Sequence, residues 1–185
     1  MKELSRRVWH ILGGLCLSIA GLLITRQIFI LVFCSVAIVF LIFELIRLRF
    51  PQLNRRFITC FRALIREREA STLTASAYLL IAASIVFIVC DKSITVMAVT
   101  FVAVGDPVAG MVRGKSLEGS GACFVACLVA GAILAAATSI ALWVVVTGAI
   151  CATLMEFLSL PLNDKLTMPL ASTSAMSLIK LVTVV

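Results

Sequence analysis

The sequence predicts an all-α protein, a polytopic membrane helix bundle of about seven transmembrane helices plus one amphipathic helix on the cytoplasmic surface. Of its 185 residues, 62% are hydrophobic and 14% are charged, with a mean hydropathy of +1.18. Soluble domains are nearer half apolar and a quarter charged. The apolar residues form runs of roughly membrane-spanning length, separated by short polar segments. We therefore expect an integral multi-pass protein with a single membrane domain over residues 1–185.

Seven apolar runs give the expected transmembrane helices, each long enough or nearly long enough to cross a bilayer. Their expected bounds are 8–24, 28–46, 73–90, 94–112, 120–137, 140–155 and 166–185. The polar run at 161–169 is expected to be a loop before the last span.

The segment 50–69 has a different pattern. Leu53, Phe57, Phe61 and Leu64 recur at helical spacing, while Arg55, Arg56, Arg62 and Arg66 take the other face. A helix with one apolar and one cationic face lies in the headgroup plane of a membrane. We therefore expect an interfacial helix here that contacts membrane lipids.

The distribution of cations predicts the orientation. If the N-terminus is cytoplasmic and the spans alternate, 13 of the 16 lysines and arginines fall on the cytoplasmic side. The other side receives only Arg26, Lys92 and Lys180. Such asymmetry follows the positive-inside rule, so the net charge of +7 does not indicate a nucleic-acid partner. The polar candidates described below gather on the same cytoplasmic side.

The stretch 101–121 contains the clearest candidate site. We expect a helix break at Gly105-Asp106-Pro107, with Asp106 capping a new helix that begins at Pro107. A carboxylate within an apolar run is a candidate for function. With Lys115, Glu118 and the backbone N–H groups of glycine-rich turns, Asp106 offers what a phosphate-transfer site needs.

Six short motifs occur in a characteristic order along nearly the whole chain. They are Arg6-Arg7-Val-Trp-His10, Glu44-Leu-Ile-Arg47, Arg66-Glu-Arg-Glu69 followed by Thr74-Ala-Ser-Ala-Tyr78, Val104-Gly-Asp106-Pro-Val-Ala109, Gly114-Lys115-Ser-Leu-Glu118-Gly-Ser120, and Glu156 followed by Asn163-Asp-Lys-Leu-Thr-Met-Pro-Leu170. In this respect the chain resembles the CTP-dependent lipid kinase family, which includes dolichol kinase, phytol kinase and the yeast-type diacylglycerol kinase.

The resemblance implies transfer of the γ-phosphate of CTP, or of another nucleoside triphosphate, to a lipid alcohol such as a polyprenol, a phytol-like isoprenol or diacylglycerol. It implies that Mg²⁺ or another divalent cation takes part. The expected catalytic residues are Asp106, Lys115 and His10. The expected nucleotide-binding residues are Gly105, Arg113, Gly114, Lys115, Glu118, Gly119 and Asp164, and the expected metal ligands are Asp106, Glu118 and Glu156. Further site candidates are Arg7, Glu44, Arg47, Glu67 and Glu69.

Several alternatives stay open at this stage. The base that accepts the lipid hydroxyl proton is either a carboxylate or His10. Glu44 and Arg47, three residues apart on one helix, are as well suited to a structural ion pair as to catalysis. A cytidylyltransferase acting on a lipid phosphate is a second function, and a small transporter or non-catalytic membrane subunit is a third. A homo-oligomer is compatible with each.

Overall fold

The computed structural model describes residues 2–65, 67–158 and 163–183, with backbone alone at 2, 3, 67 and 68. Within these ranges the chain forms α-helices and no strand, which confirms the all-α prediction. The eight helices are α1 (Lys2–Leu23), α2 (Arg26–Arg49), α3 (Pro51–Cys60), α4 (Ala75–Val89), α5 (Lys92–Val112), α6 (Leu117–Thr138), α7 (Leu142–Phe157) and α8 (Asp164–Thr183). A 3₁₀ helix, Glu67–Ala70, lies between α3 and α4.

Helix α5 is the centre of the bundle and packs against α1, α6, α7 and α8. Every residue of α5 from Ile94 to Ala103 is buried. Phe101 and Met97 pack into one apolar core with residues of α6, α7 and α8. Val96 and Val99 belong to a second core with residues of α1, α2 and α4. A helix that is apolar all round requires such complete enclosure.

The outer helices expose large apolar side chains, among them Leu31 and Val39 on α2 and Val129 and Ile133 on α6. Apolar surface of this extent indicates contact with lipid or with protein. By length and composition, α2, α5 and α6 can cross a membrane, and α4 and α7 are shorter apolar helices.

Fewer helices of the described chain therefore reach spanning length and hydropathy than the seven that we predicted. Arg6, Arg7 and His10 lower the hydropathy of α1, and Lys180 and several hydroxyl residues lower that of α8. Helices α4 and α7 are 15 and 16 residues long, shorter than the roughly 20 residues of a typical span.

The predicted break at Gly105-Asp106-Pro107 is wrong, because α5 continues without interruption to Val112 with Pro107 inside it. Proline removes one backbone hydrogen bond, and neighbouring helices can offset that loss when they enclose the segment. Asp106 is therefore not a helix cap. Likewise, the predicted loop at 161–169 is wrong from Asp164 onward, because α8 begins there and contains Pro169.

The predicted interfacial helix 50–69 is also too long. Helix α3 ends at Cys60, no residue of it is buried, and turns lead to the 3₁₀ helix. Arg47 donates hydrogen bonds to the backbone carbonyls of Glu69 and Thr72, and Asn54 donates to that of Ala70. Because these backbone carbonyls accept hydrogen bonds from buried or partly buried side chains, residues 69–72 lie against the bundle and do not continue a surface helix.

The two ends of the bundle differ in their charges. At one end, Arg26 donates to the carbonyls of Phe87 and Ile88, and Lys92 donates to those of Leu22 and Ile24. These are carbonyls at or just beyond the C-terminal ends of α4 and α1, where cations are favoured. Lys180 pairs with Asp91 at this end as well. The opposite end holds the cavity described next.

Candidate functional site

A cavity of about 840 Å³ opens at the end of the bundle opposite Arg26 and Lys92. Its walls come from α1, the C-terminal half of α5, the turn after α5, the end of α7, the start of α8 and the segment that leads into α4. It brings together most of the residues that the sequence singled out, which are Arg7, His10, Glu69, Asp106, Arg113, Gly114, Lys115, Glu156 and Asp164. Segments far apart in the chain therefore converge on one site.

Lys115 and Asp164 form one of two lysine–aspartate pairs in the cavity. The Lys115 ammonium lies 3.2 Å from an Asp164 carboxylate oxygen and also donates to the carbonyl of Leu158. Burial raises the pKa of the Asp164 carboxyl above its usual value, and its hydrogen bond and charge interaction with Lys115 oppose that rise. The pair thus links the turn after α5 to the first residue of α8.

Asp106 and Lys165 form the second pair, across 59 residues of sequence. The Lys165 side chain is only 6% exposed, whereas Asp106 is 22% exposed and faces the cavity. The Asn163 side chain accepts a hydrogen bond from the Lys165 backbone N–H at 3.0 Å, which fixes the first turn of α8. Sequence analysis did not select Lys165 as a site residue, and its place in the polar run 163–165 was the available signal.

Glu156 adds a further carboxylate to the cavity, and it accepts a hydrogen bond from the Ser120 hydroxyl at 3.1 Å. It lies close enough to Asp106 and Asp164 for their charges to interact. Among the described side chains, no three acidic, histidine or cysteine groups stand close enough to hold a metal ion by themselves.

Mg²⁺ is commonly held by one or two carboxylates together with substrate phosphates and water. Asp106, Glu156 and Asp164 offer oxygen donors of this kind at one end of the bundle, with Lys115 and Lys165 beside the two aspartates.

The turn that carries Lys115 is held by internal backbone hydrogen bonds. Gly114 adopts a φ of +64°, which favours glycine, and its N–H donates to the Ala109 carbonyl. The Ser116 side chain caps α6 by accepting from the Gly119 N–H. The N–H groups of Gly114 and Gly119 are thus already bonded within the chain, and neither is available to a ligand as the predicted glycine-rich turn would require.

Two of the predicted nucleotide-binding glycines have packing roles. A side chain at Gly119 would overlap the Gly114 carbonyl oxygen, so this glycine allows α6 to begin directly against the turn. A Cβ at Gly105 would lie 2.7 Å from the Cys127 sulfur and 2.9 Å from the Cys123 sulfur. Gly105 therefore permits close contact between α5 and α6 and does not line the cavity.

Glu118 also lies apart from the cavity lining. It pairs with Arg113 at 3.2 Å, and both side chains are more than half exposed. This arrangement does not bring Glu118 to the other carboxylates, so its assignment as a metal ligand stays a prediction without support from the described geometry. Arg113 itself lines the rim of the cavity.

Glu44 and Arg47 form a fully buried bidentate ion pair beside the cavity, with bonds of 2.8 and 3.0 Å. Glu44 accepts in addition from the backbone N–H and the hydroxyl of Thr74, the N-cap of α4. Glu69 accepts from the Ala75 N–H through its side chain. The pair therefore holds residues 69–75 in place as one wall of the cavity, a positioning role. Glu67 lies outside the side chains that the structure describes.

Helix α1 presents Arg7 and His10 to the cavity, three residues apart and hence on one helical face. The Arg7 guanidinium lies so close to α5 that a side chain at Gly110 would contact it. Arg7 and His10 from α1 and Asp106 from α5 therefore line the same cavity.

The remaining wall is apolar. It contains Trp9, Phe40, Phe57, Phe61 and Leu64, none of which the motif analysis had selected as ligand-binding residues. The ring of Phe57 packs against that of Phe61 in a tilted arrangement, with ring centroids 4.9 Å apart. The helical spacing of residues 57, 61 and 64 was visible in the sequence but was interpreted only as a membrane-facing stripe. One cavity thus combines a charged end with an aromatic wall.

Compared with protein-family models, with curated proteins and with solved structures, the chain matches none of them.

Proposed function

We propose that this protein is a membrane-embedded lipid kinase that transfers the γ-phosphate of CTP, or of another nucleoside triphosphate, to a lipid alcohol. The observation that carries the proposal is the composition of one cavity, whose lining combines two lysine–aspartate pairs and Glu156 with several aromatic side chains. A kinase of this kind must hold a polyanion and a hydrocarbon chain side by side. The volume of the cavity, about 840 Å³, lies in the range of small-molecule sites.

The charged end suits the triphosphate. Lys115, Lys165 and Arg7 provide cations from three different helices or turns, and phosphoryl transfer depends mainly on positioning and charge stabilisation. Asp106, Asp164 and Glu156 would hold the magnesium that accompanies the nucleotide. When bound, that ion would neutralise part of the charge that develops on the phosphates.

The aromatic wall suits the lipid. Trp9 and Phe40 line the cavity from α1 and α2, which also expose large apolar side chains, so a lipid chain could enter sideways from the hydrocarbon region. The hydroxyl of such a lipid would then lie near His10 and the carboxylates. One of these groups accepts the hydroxyl proton during attack on the γ-phosphorus.

The orientation is part of the proposal. We infer seven spans, with α3 on the cytoplasmic surface and with the N-terminus and cavity on the cytoplasmic side, where nucleotides are available. The end of the bundle that holds the cavity carries most of the described cations.

Labelling of single cysteines tests this topology in a background without the seven native cysteines. Arg55→Cys on α3 and Ser139→Cys between α6 and α7 should react with an impermeant maleimide from opposite sides of sealed vesicles. Reaction of both from one side would contradict the model.

The activity test uses purified protein in lipid vesicles, CTP labelled on either the α or the γ phosphorus, and a long-chain isoprenol or diacylglycerol. A kinase moves the γ label into lipid and leaves the α label in CDP. Incorporation of the α label from CTP into a lipid phosphate would instead identify a cytidylyltransferase. Transfer of neither label, with other nucleoside triphosphates also inactive, would refute both enzymes.

A matched pair of variants connects the activity to the cavity. Lys115→Ala should reduce γ transfer by about a hundredfold or more, the scale for loss of one preorganised group at a developing charge. Lys180→Ala removes a lysine that pairs with an aspartate at the opposite end and should leave transfer nearly unchanged. Equal loss in both variants would indicate that the effect is not local to the cavity.

A further inference from the structure

Lys165 is the most buried cation of the cavity, and its partner is the Asp106 carboxylate. Within the described part of the chain, its ammonium has one hydrogen-bond partner, Asp106, although an ammonium carries three donors. The Lys165 side chain is 6% exposed and that of Asp106 is 22% exposed, so the carboxylate is the member that a ligand in the cavity reaches first.

This pair differs from the ion pair that serves the fold. Arg47 uses its Nε and both terminal nitrogens in bonds to Glu44, Asn54 and backbone carbonyls, and its environment is fully buried. Lys165 and Asp106 instead line a cavity that can admit another ion. In the structural pair, protein groups use the hydrogen-bonding nitrogens of the arginine. A pair that lines a ligand site can instead exchange one partner for a ligand atom.

Exchange has a definite direction here. A divalent cation binds less tightly to a carboxylate that is already paired with an ammonium. The ammonium must either move away or remain close enough to repel the cation. A triphosphate supplies a new anionic partner for the ammonium, and departure of the ammonium removes one positive charge from beside the Asp106 carboxylate. The second pair, Lys115–Asp164, lies in the same cavity and adds anion-binding charge for the same ligand.

We propose that Lys165 acts as an exchangeable latch on Asp106, which blocks divalent-cation binding until a nucleoside triphosphate draws the lysine away. The ligand class rests on the proposed function, but the exchange itself does not require turnover. The latch would ensure that the cation enters together with the nucleotide. Lys165 is then a phosphate-binding residue as well as the competitor of the cation.

The test measures two binding equilibria separately with the full chain in lipid nanodiscs. Free Mn²⁺ is followed by electron paramagnetic resonance without nucleotide, and CTP binding is followed by calorimetry in EDTA without acceptor lipid. Lys165→Met should strengthen Mn²⁺ binding and weaken CTP binding, each by about tenfold or more, within the usual range of coupling between two sites. A lysine that only supports the fold would not shift the two affinities in opposite directions.

Three further variants make the test specific. Lys165→Arg keeps the charge and should keep Mn²⁺ binding close to that of the original protein. The double variant Asp106→Asn/Lys165→Met should lose the gain in Mn²⁺ affinity, because the carboxylate is gone. Lys180→Met removes the lysine of the Asp91 pair at the far end and should change neither equilibrium.

Unchanged or weakened Mn²⁺ binding in Lys165→Met would overturn the latch. Failure of the γ-label assay while the opposite shifts persist would refute the kinase and leave the latch standing, so the two proposals fail separately.

Discussion

The buried Glu44–Arg47 pair allows a quantitative prediction about the cavity wall. In Arg47→Ala, Glu44 keeps its bonds from Thr74 but loses its counter-charge, at a position with no exposed side-chain surface. Breaking a buried ion pair by removing one partner costs about 3–5 kcal/mol. The buried carbonyl of Glu69 also loses the bonds from Arg47, and loss of a donor to a buried acceptor costs roughly 1–3 kcal/mol.

The expected destabilisation is therefore at least about 4 kcal/mol, which corresponds to a Tm decrease of roughly 8–16 °C for a chain of this size. Thermal unfolding in detergent measures the change. Limited proteolysis should show new cleavage between α3 and α4, since that segment loses its attachment.

The exposed Arg113–Glu118 pair supplies the matched control. It has the same chemistry, but its side chains are 71% and 63% exposed. Arg113→Ala should cost less than about 1 kcal/mol, as surface pairs generally do. If Arg47→Ala were no more harmful than Arg113→Ala, burial would not explain the role of the first pair.

Three more predictions concern the cavity. Gly119→Ala should destabilise the protein by about 1–3 kcal/mol or more, because the added methyl overlaps the backbone of the preceding turn. Lys115→Met should raise the pKa of Asp164 further, since a hydrogen bond and a positive charge that lower it are removed, and the carboxyl infrared band should then titrate at higher pH. Asp106→Asn should cost about 1.5–3 kcal/mol in thermal unfolding, because it removes the charged hydrogen-bond partner of a buried lysine.

Each of these has its own control. Gly121→Ala should be nearly neutral, since nothing lies within 4 Å of a Cβ there, and equal damage at both glycines would rule out the overlap. A lower or unchanged carboxyl pKa in Lys115→Met would show that the lysine does not stabilise the charged form of Asp164. Asp91→Asn, at the more exposed pair with Lys180, should cost less than Asp106→Asn, and the reverse order would contradict the assigned burial.

The helices themselves were predictable because burial in an apolar medium requires long apolar runs with internally bonded backbones. The predicted runs match the positions of α2, α4, α5, α6 and α7 to within a few residues. The convergence of His10, Asp106, Lys115 and Asp164 on one cavity also follows from alternating helices that return charged segments to one end.

What the sequence could not supply were the consequences of packing. Local rules treat Gly105 and Pro107 as helix breakers, but α6 packs so closely on α5 that a helical Gly105 is required there. The Lys165–Asp106 pair joins residues 59 positions apart, so no local pattern contains it. The hydrogen bonds from Arg47 to the carbonyls of Glu69 and Thr72 likewise depend on tertiary contact. They favour a turn toward the bundle over the longer surface helix that we predicted.

The hydrogen bonds that Arg26 and Lys92 donate at the end opposite the cavity have a consequence for movement of a ligand across the membrane. They join α2 to the end of α4 and α5 to the end of α1 through backbone carbonyls, where little can move without breaking several charge-assisted bonds. A carrier must open toward both compartments in turn, whereas the cavity described above lies at the end opposite these fixed contacts. Under the proposed function, a phosphorylated lipid would leave by the route by which it entered and remain in the leaflet that faces the nucleotide. Its passage to the other leaflet would then need a separate protein.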